Sequence, residues 1–351
     1  MAGSFCLGYL GADWWGSDAR AMAMEFRRQG HMLIERNYED YLSTKWQSIN
    51  LKIVRRLTLP SIKKEYNSSV EELLAVQALD FLLVFKGMLL EADTLKKFID
   101  RGLPCYLVYP DVSFKDHGSN IWQSLPLYDC VFTTKSFHLD DENIRDKVKN
   151  LHLVNHGYDP EVHRPLAQNN TLLSTYGCDV SFVGCWSPKK ENLIKSIVEG
   201  LPSVEIALWG PNWDRADSRV AEKWRGRGAY GDELAAIYSC SKINLGLLSE
   251  AGSEGQVGDQ TTARSWQIPA SGGMLLHEDN AEIRKYYETD KEIGIFDSKE
   301  ELTNKISLLL ENTSIRDSIR VAGHDRCVSA PYTYSAAVNA VVNYHINQVD
   351  D

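Results

Sequence analysis

A turn with two lysines behind it is the first place where this chain offers chemistry. SFVGCWSPKK (181–190) closes an apolar run with Gly184 and Trp186 and opens a helix with Lys189 and Lys190 in its first turn. Free amides at a helix start beside ammonium groups suit a diphosphate, although a solvated helix start has the same pattern. WGPNW (209–213) places Gly210 at a strand end before a proline turn. RGAYGDEL (227–234) sets Gly228 and Tyr230 ahead of a helix that Asp232 would cap. A loop that lean can lay backbone against a flat base, as ordinary turns also do. RSWQIPASGGMLLHE (264–278) carries Arg264 and Gln267, then small residues up to Gly273, then an apolar run. A plain helix-to-strand turn requires one glycine, so this stretch fits a held ligand. In the front half, YPDVSFKDHGS (109–119) gathers Asp111, Asp116 and His117, groups able to move a proton if they come within hydrogen-bond reach of it.

Composition narrows what these groups can serve. The net charge of −10 argues against nucleic acid as a partner, because phosphate backbones attract a basic face. Seven cysteines without a CxxC pair lie mostly in apolar, strand-like runs, the pattern of buried free thiols rather than of zinc or disulfide frameworks. The start, MAGSFCLGYLGADWW, has neither a basic head nor a long apolar core, and no run reaches the ~20 apolar residues of a membrane span. These features describe a cytoplasmic chain, with 45–64 as the segment suited to the inner membrane face.

The elements that must position the candidate groups alternate along the chain. Apolar runs of strand length, SFCLGYL (4–10), DFLLVFKG (80–87), PCYLVYPD (104–111), DCVFTTK (129–135) and NLHLVNHG (150–157), are separated by helical patterns. A second cycle begins at CDVSFVG (178–184) and continues through VEIALWG (204–210), INLGLL (243–248), MLLHED (274–279) and KEIGIFD (291–297). The pattern predicts an α/β chain of two Rossmann-like, doubly wound domains with a cleft between them suited to two substrates: 1–165, a linker at 166–177, and 178–330. A helix at 331–351 would pack back on the first domain. GYLGADWWG does not fit GxGxxG and no Walker-type GxxxxGK occurs, which demotes dinucleotide oxidoreductases and P-loop enzymes.

Taken in order, FVG…K, WGPNW, DELAAIYSCSKINL, RSWQIPASGGMLL, KEIGIFDSKEEL and AGHDR before PYTY resemble the nucleotide-sugar glycosyltransferases of GT-B type. In particular they resemble the spore-maturation, CgeB-like branch near the glycogen-synthase-like retaining family, which implies that 1–165 binds the acceptor and 178–330 the donor. NHGYDPEVHRP (155–165) is similar to that family's interdomain segment. The resemblance implies a metal-independent, retaining transfer from a UDP-, GDP- or TDP-sugar to a hydroxyl acceptor on a glycan, lipid-linked sugar or protein, with no further cofactor. Gln267 falls where relatives carry a Glu for the donor ribose, and Asp259 where a Glu faces the transferred sugar. Gln260, Thr261 and Thr262 would present amides to sugar or diphosphate. Relatives place an Arg after the glycine of the FVG-like turn and a Lys five residues later. Here those positions are Cys185 and Lys190, and Arg264 would supply the missing cation.

The front half is plainer. In GADWWGSDAR (11–20), Asp13, Trp14 and Trp15 would face the cleft, where aromatic faces suit sugars and would equally cap a core. Asp13, Asp111 and His117 are the catalytic candidates there; in a retaining reaction Asp111 and His117 position the acceptor instead. KWQSINLKIVRRLTLPSIKK (45–64) interleaves cations with apolar residues, which suits an anionic membrane or a lipid-linked acceptor, and equally a solvated helix interrupted at Pro60. Two other roles share the fold: an epimerase acting on the donor sugar, and a degenerate transferase serving as scaffold.

Overall fold

The computed structural model describes residues 3–41, 49–76, 79–115, 119–167, 169–250 and 258–349. The chain forms two compact units, 1–155 with 335–351, and 156–334. His156 to Pro165, read from sequence as the end of the front domain, therefore belongs to the rear unit.

The front unit contains β1 (Cys6–Leu10), α1 (Asp18–Arg28), β2 (Met32–Arg36), α2 (Ile49–Glu71), β3 (Phe81–Phe85), α3 (Ala92–Ile99), β4 (Cys105–Tyr109), α4 (Ser119–Ser124), β5 (Cys130–Thr133), α5 (Glu142–Arg145) and β6 (Leu151–Leu153). The rear unit contains α6 (Asn170–Tyr176), β7 (Val180–Val183), α7 (Pro188–Gly200), β8 (Ile206–Trp209), α8 (Ser218–Ala221), α9 (Gly231–Cys240), β9 (Ile243–Gly246), α10 (Arg264–Ala270), β10 (Leu275–Glu278), α11 (Ile283–Tyr286), β11 (Gly294–Phe296), α12 (Lys299–Glu311) and α13 (Thr313–Ser329). The last helix, α14 (Ser335–Val349), rejoins the front unit, where it packs on α1.

Both sheets are parallel, in the orders β2-β1-β3-β4-β5-β6 and β11-β10-β9-β7-β8. Parallel strands covered on both faces read as unbroken apolar runs. FLLVF and CYLVY are buried at every position. Rear strands and helices share a core that includes Phe182, Leu208, Trp213, Leu245 and Leu276. Serine caps start some of the helices that follow strands: Ser17 accepts from the Arg20 amide, and Ser298 from that of Glu301. Gly30 stands just beyond α1 at φ +88°, the left-handed conformation that glycine adopts most cheaply.

The connections reverse direction between β1 and β3 in the front sheet and between β7 and β9 in the rear one. Open α/β sheets hold ligands outside the strand carboxyl ends at such a reversal.

Three sequence expectations change. The 166–177 stretch, read as a linker, contains α6 inside the rear unit, capped by Asn169. Pro60 does not interrupt its helix: α2 runs from Ile49 to Glu71 through it, and below it Asn67 bonds the carbonyls of Lys63 and Leu89. Asp232 does not cap α9; Tyr230 occupies that position, and Asp232 lies within 3.5 Å of Arg164. Among the described residues no helix is long and apolar enough to cross a membrane.

Candidate functional site

At the reversal of the rear sheet, the carboxyl ends of β7 and β9 are spanned by two cations. Arg264, first residue of α10, donates from Nη1 to the Val183 carbonyl at 3.3 Å and from Nη2 to that of Leu247 at 2.7 Å. Lys190, in the first turn of α7, donates from Nζ to the Cys185 carbonyl at 3.3 Å and to Ser249 Oγ at 2.9 Å. The same two strand ends are thus bridged twice, two residues apart on each side. Neither cation has a carboxylate at ion-pair distance among the described residues. Lys190 is only 4% exposed, and Arg264 Nε is buried without a hydrogen-bond partner. Burial, reinforced by the Arg264 charge, lowers the Lys190 ammonium to about 8. Burial lowers the Arg264 guanidinium as well. Two buried cations with no carboxylate paired directly to either are what a bound polyanion compensates.

Glycines make room for this arrangement. A Cβ at Gly184 would lie 3.0 Å from Arg264 Nη1 and 2.7 Å from the Phe182 ring. Gly210, at φ +126°, packs so tightly on the Gly184 backbone that a Cβ would fall 2.0 Å from its carbonyl oxygen. The guanidinium carbon lies 5.2 Å from the centre of the Phe182 ring. Beyond α10, Gly272 takes φ +70°. At Gly273 a Cβ would meet the Tyr238 carbonyl oxygen at 2.7 Å, so the small residues let helix and strand close on each other.

The segment before α10 ties Asp259 to the loop after β9, and Gln260 and Thr261 to the residues after β10. The Asp259 amide donates to the Ser249 carbonyl at 2.9 Å, so Ser249 holds both Asp259 and Lys190. Asp259 is 6% exposed, and its charge acts on both cations. Gln260 is anchored through its carbonyl by Asn280. Thr261 donates its hydroxyl to Glu282. The Thr262 amide, expected to face a ligand, is instead donated to Ser265 Oγ at 3.0 Å; the atom left without a partner is the buried Thr262 hydroxyl. Gln267 lies one turn beyond Arg264, buried, with no side-chain hydrogen bond among the described residues.

The start of α7 differs from its sequence reading. Ser187 accepts from the Lys190 amide, and its carbonyl takes that of Glu191, so the helix caps itself. Its contribution to the site is therefore the Lys190 side chain. Lys189 pairs at 2.6 Å with Glu278, whose other carboxylate oxygen accepts the Leu248 amide. Trp186 turns its indole N–H to Glu191 and packs on the rear core. Tyr230 is 58% exposed and folds its ring over Gly228. Ser249, Glu278 and His277 escaped the sequence reading, because a loop serine and strand-end side chains carry no spacing signal. Six cysteines are buried, and Cys185 is exposed at the turn.

In the front unit, Asp111 follows β4 and pairs with Lys86 at 2.8 Å. Lys86 follows β3 at φ +70°, a conformation unusual for a lysine, and lies beside the reversal of the front sheet. Asp13 follows β1 and is 3.7 Å from Arg20, which itself covers the Trp15 ring at 4.6 Å. Asp116 and His117 lie outside the described residues, as does Lys45 of the basic stretch.

Comparison with known proteins agrees with this architecture. Residues 189–343 match the family model described as Glycosyl transferase-like. Over 99% of both chains the structure is similar to sucrose-phosphate synthase from Thermosynechococcus elongatus, with TM-score 0.63 and 11% identity. Over 98% of this chain and 100% of the other it is similar to Anabaena HepE in complex with UDP and glucose, with TM-score 0.60 and 11% identity. A UDP-N-acetylglucosamine 2-epimerase is similar over 99% of this chain and 98% of its own, with TM-score 0.56 and 11% identity. No curated protein matches the sequence. The chain has the GT-B fold, two Rossmann-like α/β units of the kind built by glycosyltransferases.

Proposed function

We propose that this chain is a glycosyltransferase of the CgeB-like branch that takes a sugar from a nucleoside diphosphate sugar and passes it to a hydroxyl acceptor, without a metal and with retention of configuration. The observation that carries the reading is the pair of cations, Lys190 and Arg264, bridging the strand ends at the rear sheet's reversal without a carboxylate partner among the described residues. As the sugar leaves, negative charge grows on the distal phosphate. A preorganised guanidinium and ammonium stabilise that charge more in the transition state than in the bound donor. Gln267 would hold the ribose hydroxyls, accepting and donating as a carboxylate cannot. Asp259 would face the transferred sugar, with Gln260, Thr261 and Thr262 lining that side, Gly184 and Gly210 keeping it open, and Trp186 and Tyr230 at its margins. In the front unit Asp13, Asp111 and His117 would serve the acceptor, a glycan or glycoconjugate.

HepE is seen with UDP, so UDP is the first nucleotide to try. Calorimetry against UDP, GDP, TDP and ADP is expected to show one binder, and no binding at millimolar concentration by any of them would overturn the reading. The epimerase of the same fold favours one rival, conversion of the donor sugar itself. Epimer formation without acceptor would establish the rival; sugar transfer to an acceptor without epimer supports the proposal.

A further inference from the structure

His277, on β10, is completely buried and contacts neither cation of the site by hydrogen bond, yet both its ring nitrogens are committed. Nδ1 lies 2.6 Å from the Glu278 carbonyl, and Nε2 lies 3.0 Å from Ser265 Oγ. A carbonyl oxygen only accepts, so Nδ1 carries the proton. Burial lowers the imidazole to about 4, so near neutrality the ring has one proton and Nε2 is an acceptor. The Ser265 hydroxyl must then donate to His277, which leaves its lone pairs to take the Thr262 amide at 3.0 Å. Every hydrogen in this series has one consistent direction, running from the Thr262 amide through Ser265 and His277 to the backbone of β10. Ser265 is gripped a second time through its carbonyl, which accepts from the Tyr287 hydroxyl at 2.9 Å.

The position is built for this ring. Gly246, on neighbouring β9, would place a Cβ 2.6 Å from His277 Cδ2, so any other residue there would displace the imidazole. Glu278, which supplies the carbonyl for Nδ1, also holds Lys189 and the Leu248 amide through its carboxylate. The turn between Thr262 and Ser265 contains Arg264, and leaves the buried Thr262 hydroxyl without a partner.

We propose that His277 is the positioning residue of the rear site: through Ser265 it sets the 262–264 turn that presents Arg264 and the Thr262 hydroxyl to the phosphates of a nucleoside diphosphate. The inference rests on the donor-site reading above and adds to it the group that orients the phosphate clamp.

UDP titration of the full chain and its variants separates the two ideas. If the wild-type protein binds none of the four nucleotides, the donor-site reading fails and this inference falls with it. If it binds, the nucleotide that binds is carried through the rest. His277→Asn keeps a donor toward Glu278 but loses the acceptor for Ser265, and is expected to weaken binding about tenfold, while His277→Gln, whose amide reaches the Nε2 position, recovers most of it. Ser265→Ala is expected to match His277→Asn, and the double variant to be no weaker than either, because both break one series. Gly246→Ala, which touches no donor or acceptor, is expected to weaken binding by displacing the ring. A nitrogen-15 spectrum of the wild type should show His277 protonated at Nδ1. Unchanged affinity in folded His277→Asn and Ser265→Ala, or fully additive losses in the double variant, would overturn the proposal.

Discussion

Lys190 should report on the site through its proton. Its pKa in the free protein is lowered to about 8 by burial and the Arg264 charge, whereas a bound diphosphate restores a counterion and raises it. Below pH 8 the ammonium is already charged and nucleotide affinity should be flat. Above it, binding must take up a proton, and affinity should fall up to tenfold per pH unit until the pKa of the complex is reached. Titrations at pH 7, 8, 9 and 9.5 measure this, and Lys190→Gln should remove the slope. Arg264→Ala should weaken the chosen nucleotide by about a hundredfold, in line with a charge-assisted contact of roughly 1.5–3 kcal/mol. Retained affinity would reject the phosphate role. At this scale the sequence revealed residue types and missed commitments. Arg264, Lys190 and Asp259 do converge on the strand ends, and Gln267 lies one turn along from Arg264. That the Thr262 amide is taken by Ser265, or that Ser187 caps α7, depends on side-chain rotations that spacing does not encode.

The elements around the site are fixed by close approaches, and these can be tested by stability. Gly210 combines a left-handed φ with backbone contact to Gly184, so Gly210→Ala should cost more than about 2 kcal/mol in denaturant unfolding. A loss below about 0.5 kcal/mol would show that the turn relaxes freely. His277 links the β10 element to pH. Folding lowers its pKa from 6.5 to about 4, so the unfolded chain binds a proton that the folded one refuses. Its contribution is complete above pH 6.5 and declines toward pH 4 by about 3 kcal/mol. Burial lowers His31 and His345 in the same direction. His277→Gln should flatten the acid limb of a stability–pH profile; an unaltered limb would contradict the buried neutral ring. The parallel strands were legible because burial on both faces leaves continuous apolar runs. β2, reading MLIER on a sheet edge, and α6, with no fully buried residue, lack that signal. α2 continues through Pro60, and beyond it Asn67 ties the helix to the Leu89 carbonyl, a tertiary contact that local sequence does not announce.

At the scale of the molecule, two parallel sheets each reverse direction once, and candidate side chains gather beside both reversals. The alternation of strand and helix patterns made this architecture readable, while nothing in the type of residue 86 announced a lysine at φ +70°. The proposed acceptor role of the front unit predicts a division of labour. Asp111→Asn, which removes the charge facing Lys86, should reduce sugar transfer by at least tenfold and leave nucleotide affinity within twofold. Equal losses in both would place Asp111 in the fold rather than with the acceptor. The central claim is that the carboxyl ends of β7 and β9 clasp a diphosphate, and a crystal structure of the chain with its nucleotide examines it most directly. Phosphate oxygens are expected within hydrogen-bond distance of Arg264 and Lys190, with the ribose toward Gln267. A nucleotide bound elsewhere, with both cations still spanning their carbonyls and no phosphate beside them, would contradict it.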